Sequence, residues 1–242
     1  MKKLYLVGIG PGKKSGMTLE AEEALRKSDC IVGYHVYTEL VQADFPDKEY
    51  FTTPMTKEID RCRQALALAD EGKTVSLICS GDVGVYGMSG LVWQLHEEYP
   101  QVELQVVAGV TAALAGAAVL GAPLIHDFAL ISLSDLLTPW EKIEKRLSLA
   151  AEADFVIVLY NPSSKKRHDY LQKACDLILE HQSPDTVCGL VEQIGREGEQ
   201  AKVLTLAQLR EETVNMFTTV FIGNSQTEVM EGKMVTPRGY VL

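Results

Sequence analysis

The sequence lacks the long apolar run that would mark a membrane protein. No run reaches the roughly 18 residues of a membrane span. The longest candidate, residues 106–124, is rich in glycine and alanine and is interrupted by Pro123, so it predicts a buried helix. The chain enters an apolar strand within four residues of Met1, so we expect no signal peptide. We therefore expect no membrane partner.

Basic charge and paired cysteines are also scarce. Lysine and arginine total 23 against 33 aspartates and glutamates, and the net charge of -10 argues against a nucleic-acid partner, because phosphate contacts require a basic face. The five cysteines are odd in number and show no C-x-x-C spacing, so we expect reduced thiols in a cytoplasmic protein. Histidines and cysteines also lack metal-ligand spacing, and we expect no resident metal.

Short apolar segments alternate with helical patterns along the chain. Hydrophobic residues make up 46% of the sequence, enough for one large or two small cores. The alternation predicts an α/β fold with parallel or mixed sheets covered by helices. Because a small-residue helix ends at Gly121 and Pro123 prevents its continuation, we predict two α/β domains, 1–120 and 124–242, with a ligand cleft between them. The predicted strands are 4–9, 30–33, 75–79, 104–108, 128–133, 155–160, 187–191 and 220–223, and the predicted helices are 18–27, 57–71, 86–98, 110–120, 140–150, 167–181 and 207–212.

The first strand runs into a glycine-rich turn, Gly10-Pro11-Gly12, of the kind that brings backbone N–H groups close to a ligand. Two common nucleotide motifs do not fit it. The dinucleotide fingerprint would need glycine where Lys13 stands and an acidic residue after the second strand. A P-loop would need glycine in place of Val7 and a hydroxyl residue in place of Lys14.

Two further strands end in small-residue loops. The segment 80–87 carries three glycines and Asp82, whose carboxylate can accept hydrogen bonds from backbone N–H groups or ribose hydroxyls. Asp82 can equally cap a helix that begins near Tyr86, and the two roles are compatible. The segment 107–113 places Gly109 and Thr111 at a helix start, where small side chains leave space either for a ligand or for close packing.

Together the three loops resemble the tetrapyrrole (precorrin/porphyrin) methylase family of S-adenosylmethionine-dependent enzymes, over nearly the whole chain. Residues 126–140, the pattern Tyr160-Asn161-Pro162-x-Ser164-x-x-Arg167 and Gly223-Asn224-x-x-Thr227 resemble the branch that methylates C17 of precorrin-3B or cobalt-factor III, with coupled ring contraction. Val83 stands where many relatives have proline. The resemblance implies two α/β domains and a homodimer that binds a tetrapyrrole, with or without cobalt, and releases S-adenosylhomocysteine.

The resemblance also implies roles for individual residues. No metal or nucleophile is needed for methyl transfer, whereas ring contraction needs proton movement, for which the candidate acids or bases are His126, Asp127 and Asp82. His126-Asp127 can equally be a turn at the start of a strand. The tetrapyrrole would contact Gly10, Pro11, Gly12, Lys13, Asn161 and Arg167, and the donor would contact Gly81, Asp82, Val83, Tyr86, Thr111, Ala112, Ser132 and Tyr160.

Other interpretations remain open at this stage. The lysines at positions 13, 14, 165 and 166, together with Arg167, can attract the carboxylates of a tetrapyrrole, but exposed basic residues are more often merely solvated. The same fold also serves methylation of another ring position, or of substrates such as diphthine or ribosomal RNA. A non-catalytic tetrapyrrole-binding protein would keep the basic loop but would need no donor pocket.

Overall fold

The computed structural model describes residues 2–164 and 167–241. The chain divides into two compact units between Ala112 and Ala113, called unit 1 and unit 2 below. This division falls at the first turn of the small-residue helix, whereas the domain boundary predicted from the sequence, at residues 120–124, follows that helix. The α/β fold class predicted from the alternating pattern is confirmed.

Unit 1 is built on a parallel five-stranded sheet with helices on both faces. The strand order is β3-β2-β4-β1-β5, and every neighbouring pair is parallel, so all five carboxyl ends lie at one edge, called the carboxyl edge below. Two apolar clusters bury the two sheet faces against the helices. The strands are β1 (Lys3–Gly8), β2 (Cys30–Tyr34), β3 (Glu49–Thr53), β4 (Thr74–Cys79) and β5 (Glu103–Val107), and the helices are α1 (Leu19–Lys27), α2 (His35–Gln42), α3 (Glu58–Asp70) and α4 (Ser89–Leu95).

Unit 2 contains a mixed five-stranded sheet of order β10-β9-β11-β8-β7 and a small sheet of order β12-β13-β6. Strands β7 and β8 are parallel, and the other pairs of the larger sheet are antiparallel. One apolar cluster fills the space between this sheet and its helices. The helices are α5 (Ala112–Leu120), α6 (Trp140–Glu152), α7 (Tyr170–Leu179) and α8 (Leu206–Arg210), and the strands are β6 (Gly121–Ala122), β7 (Phe128–Ser132), β8 (Val156–Tyr160), β9 (Val187–Glu192), β10 (Gln200–Thr205), β11 (Thr218–Ile222), β12 (Glu228–Met230) and β13 (Lys233–Val235).

All five cysteines are free and buried. Burial raises the pKa of the Cys30 and Cys79 thiols to about 11 and that of Cys62 and Cys175 to about 12, and it raises that of Cys188 as well. Within residues 2–164 and 167–241, no helix has the length and apolarity to cross a bilayer. The same residues contain no cluster of three or more His, Cys, Asp or Glu side chains arranged to hold a metal ion.

Candidate functional site

The glycine-rich loops predicted from the sequence meet at the carboxyl edge of unit 1. Gly10 N–H donates to the Gly81 carbonyl at 3.0 Å, and Gly81 N–H donates to the Gly10 carbonyl at 2.7 Å. A Cβ at Gly109 would lie 2.1 Å from the Gly81 oxygen, and one at Gly8 would lie 2.7 Å from the Gly109 nitrogen. Side chains are therefore excluded from this contact, called the glycine junction below, and the backbones of the three loops touch directly.

Asp82 fastens the glycine junction with its carboxylate. Oδ1 accepts a hydrogen bond from Gly84 N–H at 2.8 Å, and Oδ2 accepts one from Gly109 N–H at 2.8 Å. Asp82 thus links the loop after β4 to the loop after β5, and each oxygen keeps a second lone pair. The capping interpretation was wrong, because α4 begins at Ser89 and its N-cap residue is Met88.

The loop after β4 presents one exposed aromatic ring in an unusual backbone conformation. Tyr86 has φ of 54° and is 55% exposed. A bulky residue in the left-handed region costs about 1–2 kcal/mol, and such strain concentrates where a ligand is held. The side chain of Val83, by contrast, is fully buried in the core, so only its backbone can contact a ligand.

Thr111 and Ala112 reach the same junction. A Cβ at Gly81 would lie 3.5 Å from the Thr111 Cα and 3.6 Å from the Ala112 nitrogen, which is ordinary contact distance. The structure therefore brings Gly81, Asp82, Thr111 and Ala112 together, as the predicted set of donor contacts requires. Thr111 and Ala112 are small, half-buried residues at the start of α5.

The two lysines of the first loop differ in their surroundings. Lys14 lies 3.4 Å from a Glu22 carboxylate oxygen and 3.5 Å from one of Asp44, so its charge is largely neutralised within unit 1. Lys13 is exposed, and within the described part of the chain it forms no ion pair. Lys13 thus stays available at the carboxyl edge, next to Gly12.

In unit 2, the predicted residues Ser132, Tyr160 and Asn161 meet at the carboxyl ends of β7 and β8. Ser132 is the register partner of Tyr160, and Asn161 Nδ2 donates to Ser132 Oγ at 2.9 Å. The Tyr160 hydroxyl accepts a hydrogen bond from Ala113 N–H at 2.7 Å, which satisfies a backbone donor in the first turn of α5. Asn161 has φ of 53°, a conformation that asparagine tolerates better than most residues.

Arg167, which was predicted to bind the tetrapyrrole, has its guanidinium fixed by several side chains of unit 2. Its guanidinium donates to Ser164 Oγ at 3.1 Å and to Ser134 Oγ at 2.8 Å, and Nη1 lies 3.3 Å from Asp135 Oδ1. The other Asp135 oxygen accepts a hydrogen bond from the Tyr170 hydroxyl at 2.7 Å, and this bond raises the pKa of the phenol. Asp135 therefore neutralises Arg167, and the group braces the loops after β7 and β8.

Sequence reasoning missed Tyr170 in this group. Its position, three residues after Arg167 at the start of a helix, is a signal that could have found it. Lys165 and Lys166, which the sequence suggested as further carboxylate-binding residues, lie outside the described residues.

His126 and Asp127 lie at the opposite end of β7 from Ser132. The Asp127 carbonyl accepts a hydrogen bond from Val156 N–H, at the amino end of β8. The five residues of β7 separate the two ends by about 13 Å. The structure therefore does not bring these two candidates together with Ser132, Tyr160 and Asn161.

Comparisons with known proteins agree over most of the chain. Residues 3–210 match the family model described as Tetrapyrrole (Corrin/Porphyrin) Methylases. A Salmonella typhimurium protein named "Probable cobalt-factor III C(17)-methyltransferase" is 49% identical over 99% of this chain and 100% of its own length. A Priestia megaterium protein named "Cobalt-factor III methyltransferase" is 44% identical over 98% of this chain but 45% of its own length. The crystal structure of the methyltransferase CobJ, 34% identical, aligns with a TM-score of 0.89 over 97% of this chain and 99% of that one.

Proposed function

The chain belongs to the tetrapyrrole (corrin/porphyrin) methylases, and we propose that it transfers a methyl group from S-adenosylmethionine to C17 of cobalt-factor III in cobalamin biosynthesis. The proposal is supported by a Salmonella typhimurium relative that carries this name and is 49% identical over its whole length. The single structural observation that carries it is the glycine junction closed by Asp82. A carrier that binds a tetrapyrrole without a donor would have no need of this arrangement.

The residues around the glycine junction fit the donor. S-adenosylmethionine, when bound, supplies an electrophilic methyl group on a sulfonium centre. The exposed glycine backbone at Gly84 and Gly87 can lie flat against an adenosine, and the exposed Tyr86 ring offers an apolar face to it. Thr111 and Ala112 border the same space with small side chains. Polar main-chain groups with a few apolar surfaces are what such a donor requires.

In this proposal Asp82 acts by positioning. Its carboxylate holds Gly84 and Gly109 at fixed distances, so the donor-binding loops keep their geometry before the donor arrives. Methyl transfer to an electron-rich carbon gains most from alignment and exclusion of water, and a fixed loop supplies the alignment. The second lone pair of each Asp82 oxygen can accept a hydrogen bond from a ribose hydroxyl.

The tetrapyrrole contacts proposed from the sequence fall into two groups. In unit 1 the Gly10-Pro11-Gly12 turn and Lys13 border the carboxyl edge, where Lys13 can pair with a substrate carboxylate. In unit 2 Asn161 and Ser132 present an amide and a hydroxyl, and the Arg167 group fixes the loops that carry them. Arg167 therefore contributes chiefly by position, since Asp135 already neutralises its charge.

Ring contraction requires proton transfer, and we propose His126 and Asp127 as its acids or bases. Their position at the amino end of β7 separates them from Ser132, so this role does not involve the Ser132–Asn161 pair. We further propose a homodimer that works in the cytoplasm, whose reducing conditions preserve the five buried thiols. Cobalt enters within the substrate macrocycle.

The direct test incubates the purified protein anaerobically with S-adenosylmethionine and either cobalt-factor III or metal-free precorrin-3B. Mass spectrometry should show the gain of one methyl group on the cobalt-containing ring. Calorimetry with S-adenosylhomocysteine should show binding, because the donor site exists without the tetrapyrrole. Methylation of precorrin-3B alone would show that the enzyme acts on the cobalt-free substrate. Absence of S-adenosylhomocysteine binding would support the alternative of a non-catalytic tetrapyrrole carrier.

A further inference from the structure

An arginine lies buried beneath the carboxyl edge of unit 1 among neutral groups. Arg61, on α3, is 3% exposed. Its Nε donates to Thr53 Oγ1 at 2.7 Å, Nη2 donates to the Pro54 carbonyl at 2.9 Å, and Nη1 lies 3.4 Å from Met88 Sδ. The guanidinium also lies 5.9 Å from the centre of the Tyr34 ring. Each of these four neighbours is uncharged.

Arg61 carries a positive charge that the protein itself does not neutralise. Among residues 2–164 and 167–241, no carboxylate lies within ion-pair distance of its guanidinium, whereas Arg63 on the same helix pairs with Glu98 at 2.9 Å. Arginine stays protonated in proteins, and buried arginines are ordinarily paired with an acid because an isolated buried charge is costly. The guanidinium of Arg61 therefore contacts a hydroxyl, a carbonyl, a thioether and an aromatic ring. None of these groups neutralises its positive charge.

The charge lies where a ligand would meet it. Tyr34 and Thr53 are the last residues of β2 and β3, and Met88 ends the loop that follows β4, so Arg61 sits under the carboxyl edge. Open parallel sheets bind their ligands at this edge. Lys13, in the loop after β1, is an exposed cation at the same edge, and it forms no ion pair within residues 2–164 and 167–241. Two uncompensated cations at one edge of a chain with net charge -10 favour an anionic ligand there.

We propose that Arg61 is the fixed counter-charge for a carboxylate of the tetrapyrrole, and that this carboxylate lies over Tyr34 and Pro54 at the carboxyl edge. The proposal rests on the proposed function for the identity of the ligand. Arg61 acts through space, because attraction over several ångströms survives where the surroundings are poorly polarisable. It sets affinity and selectivity for a polycarboxylate and takes no part in methyl transfer.

The first test compares Arg61→Met with Arg63→Met, which remove the same charge from the same helix. Titrations follow the binding of cobalt-factor III and of S-adenosylhomocysteine. Arg61→Met should weaken tetrapyrrole binding by at least about tenfold. Arg63→Met, whose charge is already paired and exposed, should stay within about twofold of wild type. Donor-product binding should change little in either variant. Equal tetrapyrrole affinities in the two variants would overturn the proposal.

The second test places the counter-charge inside the protein and works even where Arg61→Met does not fold. Met88→Glu sets a carboxylate against Nη1 of Arg61, and Met88→Gln sets a neutral group of the same size there. Met88→Glu should lose tetrapyrrole affinity by about tenfold relative to Met88→Gln, with S-adenosylhomocysteine binding alike in both. Equal tetrapyrrole binding refutes the role of Arg61. Absence of methyl transfer by the wild type would instead refute the proposed function.

Discussion

Replacement of Gly109 by alanine tests whether the glycine junction holds the donor-binding loops. A Cβ at this position would lie 2.1 Å from the Gly81 carbonyl oxygen and 2.5 Å from that of Gly8. Both obstacles are backbone atoms, which cannot rotate away as a side chain does. The loops must therefore separate by about 1 Å before a methyl group fits, in a protein interior that is packed almost without voids.

The cost follows from two effects. Overpacking of this kind costs about 1–3 kcal/mol. Separation also breaks the 2.8 Å hydrogen bond from Gly109 N–H to the Asp82 carboxylate, and the loss of a hydrogen bond to a charged acceptor costs about 1.5–3 kcal/mol. We expect the free energy of unfolding to fall by roughly 3–5 kcal/mol, which is large for one methyl group.

Gly90→Ala is the matched control. Gly90 lies in α4, and a Cβ there would meet nothing within 4 Å, so alanine should stabilise the helix by up to about 1 kcal/mol. Urea denaturation measures stability, and calorimetry measures S-adenosylhomocysteine affinity. Gly109→Ala should lose both stability and more than tenfold in affinity, while Gly90→Ala keeps both. Wild-type stability and affinity in Gly109→Ala would refute the idea that contact between these backbones positions the donor.

Three further outcomes follow from the described contacts. Tyr170→Phe should lower the free energy of unfolding by about 1 kcal/mol, because the hydrogen bond to Asp135 is lost. That bond raises the phenol pKa above its usual 10.0, so the difference should persist below pH 10 and vanish as the pH rises through the raised value; a constant difference would contradict it. The five buried thiols should resist Ellman's reagent at pH 8 until urea unfolds the chain, and rapid labelling of the native protein would contradict their burial. His126→Ala should keep S-adenosylhomocysteine affinity and lose ring-contracted product, and equal turnover would remove His126 from the mechanism.

The sequence predicted the strands that contain apolar runs and missed strands whose side chains are mostly exposed or half-buried. Strands β1, β2 and β4 read as short apolar runs because they are interior strands of a parallel sheet that helices cover on both sides. The edge strand β5 was predicted from an apolar run although Val106 is exposed. The edge strand β3 (Glu49–Thr53) has no such run, since its side chains are exposed or half-buried. Strand β10 (Gln200–Thr205) was not predicted for the same reason, since most of its side chains are exposed or half-buried.

Within the candidate site, local geometry was predictable and long-range partners were not. The glycines at positions 10, 81 and 109 could be assigned to loops at strand ends where the backbone can approach a ligand, but the direct contact among these loops was not predicted. The hydrogen bond from Gly109 to Asp82 spans 27 residues and could not be read from spacing. The burial of Arg61 could be predicted, because it lies on the same helix face as Ala65 and Ala69, at intervals of four residues, which is the pattern of a core position.

Features that cost stability lie at the carboxyl edge of unit 1. Tyr86 adopts φ of 54°, which disfavours a bulky side chain, and Arg61 keeps a buried charge without an acid. Thr56, in the loop between β3 and α3 at the same edge, also has a positive φ, of 65°. Glu231 occupies the turn between β12 and β13, and Asp154 follows the end of α6. A folded chain retains such local penalties where a ligand offsets them, so Tyr86 and Arg61 support the proposed donor and carboxylate contacts, respectively, at one edge of unit 1.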